Sequence, residues 1–189
     1  MENEKLVVII EGPSGVGKDT IISKIIEMYP DKFERPINAC TRPMRPNESQ
    51  NNPYYFITNE EFIKLRKEGE IFEHTTRHGT YRGMRKSNFD RIFSKGKIVI
   101  RDCDRYGVDA IKKEYGDDVV ISIFLTCPKE EIERRLRGRN EDPESMKARL
   151  QDYDTFILDS IYFDHVIENI DINETISKII NIIKTKTEI

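Results

Sequence analysis

The stretch Glu11–Thr20 reads EGPSGVGKDT, and its residue types suit the holding of a phosphate chain. Gly12, Gly15 and Gly17 let the backbone turn tightly, so that successive N–H groups face one anion. A helix starting near Lys18 adds its positive end, and the lysine brings a point charge to the outer phosphates. The expected phosphate-chain site therefore runs through Gly12, Pro13, Ser14, Gly15, Val16, Gly17, Lys18, Asp19 and Thr20. One letter departs from the pattern. Asp19 stands where a Ser or Thr hydroxyl normally follows the lysine and ligates Mg²⁺. A carboxylate is also a hard-oxygen ligand for Mg²⁺, directly or through water, and is tolerable beside phosphates with the metal between them. The competing reading is an acid in the first helical turn, stabilised by the helix dipole. Thr20 offers a hydroxyl to a phosphate one residue later.

A second set of chemical groups lies in Asn38–Phe56, NACTRPMRPNESQNNPYYF. Arg42 and Arg45 precede an aromatic cluster, and the planar guanidinium fork binds phosphate oxygens bidentately. Taken alone, the same pattern is equally a solvated basic loop. Arg134–Arg139, RRLRGR, by itself reads as a solvated helix face. His74 and His78 have a helical metal-ligand spacing, but their stretch is strand-like and Thr-rich and offers no third ligand. Polar packing is the expectation there.

These groups need a frame. Leu6–Ile10 is a short apolar run suited to a buried parallel strand, and Asp19–Met28 carries Ile21, Ile22, Ile25 and Ile26 at helical spacing up to Pro30. Thr58-x-x-Glu61 is a capping box for a helix over Glu60–Glu68, stopped at Gly69. Short strands are expected at Ile71–Thr76 and Tyr81, and buried strands at Lys97–Ile100 and Val119–Leu125. Helices are expected at Tyr106–Glu114, Lys129–Arg137 and Glu144–Ser160, then a strand at Val166–Ile167. A last helix is capped by Asp171-x-x-Glu174 and sided with Ile172, Ile176, Ile179, Ile180 and Ile183. Alternating strands and helices predict an α/β fold with a parallel sheet flanked by helices. The polar, mixed segment Arg42–Ser94 reads as an insertion beside the ligand edge of that sheet.

The chain has 189 residues, 37% of them hydrophobic, which is enough for one domain with a real core. Charged residues make up 34% but nearly cancel at a net −3, so no nucleic-acid footprint is expected and anionic partners must be met locally. The start MENEKLVVII lacks the basic region and cleavage site of a secretory signal, and no apolar run approaches a membrane span. Cys40, Cys103 and Cys127 form no C-x-x-C pair, and the simplest expectation is a reduced, cytoplasmic protein.

The ordered set of motifs resembles the guanylate kinase family almost end to end. It comprises GPSGVGK, TRPMRPNE, YYF, the Phe72-Glu73 pair followed by His78-Gly79-Thr80-Tyr81-Arg82-Gly83, Asp102-Cys103-Asp104, RRLRGR, Arg149-Leu150 and the late HVIEN. The resemblance implies a P-loop NTPase core, an inserted monophosphate-binding domain and a lid. Drawn on this chain, one domain over residues 1–189 would have its core near 1–37, 97–127 and 160–189, the insertion near 38–96 and the lid near 128–159. It also implies ATP and Mg²⁺ as donor and cofactor, and small nucleotides as partners of a monomer or homodimer.

Position by position, Arg42, Arg45 and Tyr54 resemble acceptor-phosphate ligands, Glu73 the carboxylate that reads guanine, and Glu48 an acid that braces the loop. Asp102 falls near the base side, and Asp104 resembles the acid near Mg²⁺, alongside Asp19. Arg135, Arg139 and Arg149 resemble arginines that fold over the donor phosphates and, with Lys18 and Arg42, form the implied catalytic set. Three positions depart from the family. Asn38 replaces a hydroxyl residue but still has an amide to donate to guanine O6, Arg82 replaces a second tyrosine, and Met84 replaces a Ser or Thr that helps read the base. The GKD of the loop also resembles ribose 1,5-bisphosphate phosphokinases, although Arg42, Arg45, Tyr54 and Glu73 argue for a nucleotide acceptor. A protein-binding guanylate kinase-like module is the remaining rival, and it would not need an intact Gly12–Lys18 loop.

Overall fold

The computed structural model describes residues 5–77, 79–138 and 143–189. The chain opens with β1 (Val7–Glu11), the glycine loop and α1 (Lys18–Met28). The short strands β2 (Phe33–Glu34), β3 (Ala39–Cys40) and β4 (Tyr55–Phe56) lead to α2 (Asn59–Lys67) and the antiparallel pair β5 (Ile71–Arg77) and β6 (Thr80–Arg85). Then come α3 (Lys86–Ser94), β7 (Ile98–Arg101), α4 (Arg105–Tyr115) and β8 (Val120–Thr126). Helices α5 (Lys129–Arg137) and α6 (Pro143–Ile157), strand β9 (His165–Glu168) and α7 (Ile172–Lys184) complete it.

Alternation along β1 builds two cores. Val8 and Ile10 pack on one face with Ile21, Ile22 and Ile25 of α1 and Ile176, Ile179 and Ile183 of α7. Val7 and Ile9 leave on the other face and meet Phe89 and Ile92 of α3, Val108 and Ile111 of α4, and Phe124. Helices therefore cover both faces, and the strands are parallel in the order β2-β7-β1-β8-β9. A second sheet, ordered β4-β3-β6-β5, is mixed and rests on a smaller core of Ala39, Phe62 and Ile71. The cap signals act as read. Thr58 accepts from Glu61 N at 3.1 Å, and Asp171 accepts from Asn173 N and Glu174 N at 2.8 and 2.9 Å.

Beyond the short strands β2, β3 and β4, which had no expected counterpart, two helical segments differ from expectation. Residues 86–94, read as part of a polar insertion, form a helix that sinks Phe89, Ile92 and Phe93 into the core. The helix expected to reach Ser160 ends at Ile157 and tightens into a 3-10 turn over Leu158–Tyr162, whose Leu158 and Ile161 are exposed.

Candidate active site

The phosphate loop joins the carboxyl end of β1 to the first turn of α1, where backbone N–H groups lack intrahelical partners. Its shape is enforced from below. Gly12 has φ +150°, and a Cβ there would lie 2.3 Å from the Leu125 carbonyl oxygen. Gly17 has φ +107°, and its Cβ would come within 2.9 Å of Asn169 Nδ2. That amide donates to the Val16 carbonyl at 2.7 Å, while the Val16 side chain is fully buried. Glu11 is also buried, and its Oε1 accepts from Gly12 N at 3.0 Å. Burial pushes the Glu11 carboxyl up, and Lys18 pulls against that. The Lys18 ammonium donates to the Gly12 carbonyl and lies 3.5 Å from Glu11 Oε1. A pocket of about 170 Å³ remains above the loop, bordered by Ser14, Lys18, Asp19, Thr20 and Arg149.

Helix α6 reaches this pocket through Arg149, and α5 packs on the loop's flank. Arg149 Nη1 donates to Ser14 Oγ at 2.7 Å. Arg135 is tied to the loop's flank: Nε donates to Glu131 at 2.7 Å, Nη1 to the Val16 carbonyl at 3.1 Å and Nη2 to the Asn169 carbonyl at 3.0 Å. Hydrogen bonds from Arg134 and Arg135 hold the Glu131 carboxyl down at about 2. Arg139 lies outside the described residues, as does His78. His74 stands on β5 and meets Arg66 Nη1 at 2.9 Å.

On the other side of Asp19 opens a cleft of about 540 Å³, lined by Arg35, Asn38, Tyr54, Arg82, Arg101 and Asp102, with Asn51 and Asn52 at its rim. Arg42 forks onto Glu48, with Nη1 to Oε2 at 2.6 Å and Nη2 to Oε1 at 2.5 Å, and Arg45 N donates to the same carboxylate at 2.8 Å. The fork from Arg42 and the Arg45 amide hold the Glu48 carboxyl down at about 2. The Tyr54 ring has the guanidinium carbons of Arg42 and Arg82 at 5.4 and 5.2 Å. Asn38 Oδ1 accepts from Arg101 Nη1 at 3.1 Å, which leaves its amide hydrogens to donate elsewhere. Glu73 is half-buried on β5, and burial raises its carboxyl while Arg101 opposes the rise.

Arg42, Arg45, Glu48, Glu73, Met84 and Asp104 are not among the residues that line this cleft. Met84 is Glu73's partner across the β5–β6 pair but is only 2% exposed and belongs to the core beneath the sheet. Asp104 caps α4, accepting from Gly107 N at 2.9 Å. Asp102 accepts a hydrogen bond from Arg35. Burial raises the Asp102 carboxyl, but Arg35 and Arg101 outweigh this and hold it below its ordinary value. Among the described residues no group of three or more His, Cys, Asp or Glu gathers as a metal cage.

Arg35, Arg101, Glu11 and Asn169 were not singled out by their residue types. Asn169 ends the HVIEN motif, which was the one available signal. The others gain their places from strand order.

The family model for guanylate kinase matches residues 3–186. Over 187 residues the chain is 36% identical to the guanylate kinase of Prochlorococcus marinus subsp. pastoris, covering 98% of this chain and 100% of that one. It is 35% identical over 184 residues to the guanylate kinase of Rickettsia bellii, covering 96% and 95%. The crystal structure of guanylate kinase from Anaplasma phagocytophilum superposes with a TM-score of 0.68 at 26% identity, over 98% of this chain and 88% of that one.

Proposed function

The chain belongs to the guanylate kinase family of enzymes that phosphorylate nucleoside monophosphates, and from that premise we propose that it transfers the γ-phosphoryl group of ATP to GMP or dGMP. The observation that carries this reading is Asp19, which borders both the phosphate-loop pocket and the arginine-lined cleft. A phosphate chain on the loop and a monophosphate in the cleft approach each other across that one residue.

The acceptor's own phosphate oxygen attacks, so the site needs no covalent intermediate and no strong base. Its task is positioning and the neutralisation of spread charge. Loop N–H groups and Lys18 hold the donor phosphates, and Arg149, Arg135 and Arg139 close over them from the lid near residues 128–159. Arg42, Arg45, Tyr54 and Arg82 hold the acceptor phosphate, with Glu48 keeping the Arg42 fork in register. The Glu73 carboxylate accepts from guanine N1–H and the exocyclic amine, Asn38 donates to O6, and Asp102 lies on the base side. Adenine presents the wrong edge to such a set. The Asp19 side chain is 78% exposed beside the phosphate pocket, so its carboxylate suits Mg²⁺ held mainly by phosphates. Mg²⁺, when bound there, would neutralise phosphate charge; Asp104, the other acid the resemblance assigns to the metal, instead caps α4. Lid closure excludes water and limits ATP hydrolysis.

A coupled assay with ATP and a panel of GMP, dGMP, AMP, CMP, UMP and ribose 1,5-bisphosphate tests the reading. GMP and dGMP should give the highest kcat/KM. Turnover of the sugar bisphosphate alone would contradict it.

A further inference from the structure

Asp19 brings a negative charge to a pocket whose ligand is itself strongly negative. Its carboxylate does not stand alone. Arg35 Nη2 donates to Asp19 Oδ1 at 2.9 Å, and the same nitrogen donates to Asp102 Oδ1 across the cleft. The contact follows from sheet order. β2, β7 and β1 are parallel neighbours, so the residues just past their carboxyl ends gather on one edge. Arg35 follows β2, Asp102 follows β7, and the phosphate loop follows β1.

We propose that Arg35 is a positioning residue for the donor: by bridging Asp19 and Asp102 it offsets the repulsion that an acid beside the phosphate cradle would exert. The side chains of Arg35, Asp19 and Asp102 are 40%, 78% and 40% exposed, so the bridge contributes little to folding. A charge facing a phosphate chain at short range nevertheless matters to binding, because the ligand carries several negative charges. Arg101 lies on the far side of Asp102 and shares the work of balancing it. Among the described residues Arg35 is the cation that pairs directly with Asp19, while Lys18 and Arg149 border the same pocket. The same arrangement explains how a loop can carry Asp in place of a hydroxyl and remain fit for an anion. The proposal rests on reading the loop as an ATP site.

The test is calorimetric titration of ATP in EDTA at low salt, with wild type, Arg35→Ala, Arg35→Lys, Asp19→Asn and the double variant Asp19→Asn/Arg35→Ala. Arg35→Ala should weaken ATP about tenfold, and Arg35→Lys, which keeps the charge, should recover most of the loss. In the Asp19→Asn background the Arg35→Ala change should cost less than about twofold, because the charge it answers is gone. Thermal melts of all variants should match wild type. Undiminished binding by Arg35→Ala would overturn the proposal. So would an equal loss in both backgrounds, which would make Arg35 a direct phosphate ligand. Failure of wild type to bind ATP would instead refute the donor-site reading on which the proposal stands.

Discussion

The glycine loop presents chiefly backbone to its pocket, whereas the arginine-lined cleft presents side chains. Around Gly12–Lys18 the loop is fixed by buried anchors, namely Glu11, Val16 and Asn169, and by the Leu125 carbonyl and the Asn169 amide, which lie too close to admit a Cβ at Gly12 and Gly17. The cleft gathers Arg35, Asn38, Tyr54, Arg82, Arg101 and Asp102 from separate strands and loops, held by ion pairs and ring contacts. A backbone cradle reads only phosphate, which every nucleotide carries. Side chains can be exchanged one at a time, and Asn38 and Arg82 are the cleft positions where this chain departs from the pattern it resembles. Contacts common to all acceptors raise affinity without selecting among them, so the proposed function puts selectivity on groups such as Glu73.

The contrast can be broken at its strongest point with Lys18→Ala. Turnover should fall at least ~10²-fold with every acceptor, about 3 kcal/mol of transition-state stabilisation. Near-normal turnover by the folded variant would remove the phosphate-loop mechanism.

Met84→Ser probes the cleft's underside. Because Met84 is 2% exposed in the core, its loss should cost about 2–4 kcal/mol of stability in urea denaturation. Retained stability with a changed acceptor preference would instead move Met84 to the base pocket.

Asp19 sits where the two regions meet. Asp19→Ala should raise the Mg²⁺ concentration for half-maximal rate by about threefold or more, and Asp19→Ser should recover part of the loss, since a hydroxyl ligates the same ion. An unchanged Mg²⁺ titration in both variants would return Asp19 to a dipole role.

The smallest effect is expected from Glu48→Gln, read through pH. Glu48 is lowered in the folded chain to about 2 by Arg42 and the Arg45 amide. A lowered carboxyl stabilises the fold above its unfolded value of roughly 4.3 and loses that contribution as pH falls through the folded value. The wild-type advantage in melting temperature over Glu48→Gln should therefore be full at pH 6 and shrink between about 4.5 and 2. A pH-independent gap would deny the ion pair its role.

The same division governs what the sequence makes legible. A backbone cradle demands glycines at fixed spacing, so Gly12, Gly15 and Gly17 can be read directly, and long helices such as α7 declare themselves by their isoleucine stripe. Helix α3 was hidden because its Phe89, Ile92 and Phe93 are set among Lys86, Ser87, Asp90 and Arg91. The two-residue strands β2, β3 and β4 are too short to show any period. Arg35 and Arg101 were invisible for another reason. Arg35 meets Asp102 across 67 residues and Arg101 meets Asn38 across 63, and the parallel order of β2, β7 and β1 brings these ends together. Met84 shows the converse, a position matched by motif whose side chain goes to the core.

The measurement closest to the central claim is kcat/KM for GMP and AMP in wild type, Lys18→Ala and Glu73→Gln. Lys18→Ala should lower both acceptors by the same factor, because the cradle serves whatever accepts. Glu73→Gln should lower GMP by about 10–10²-fold and leave AMP within about twofold, since the amide cannot accept both guanine protons. Equal losses for GMP and AMP in Glu73→Gln would contradict the claim that the base is read by this side chain.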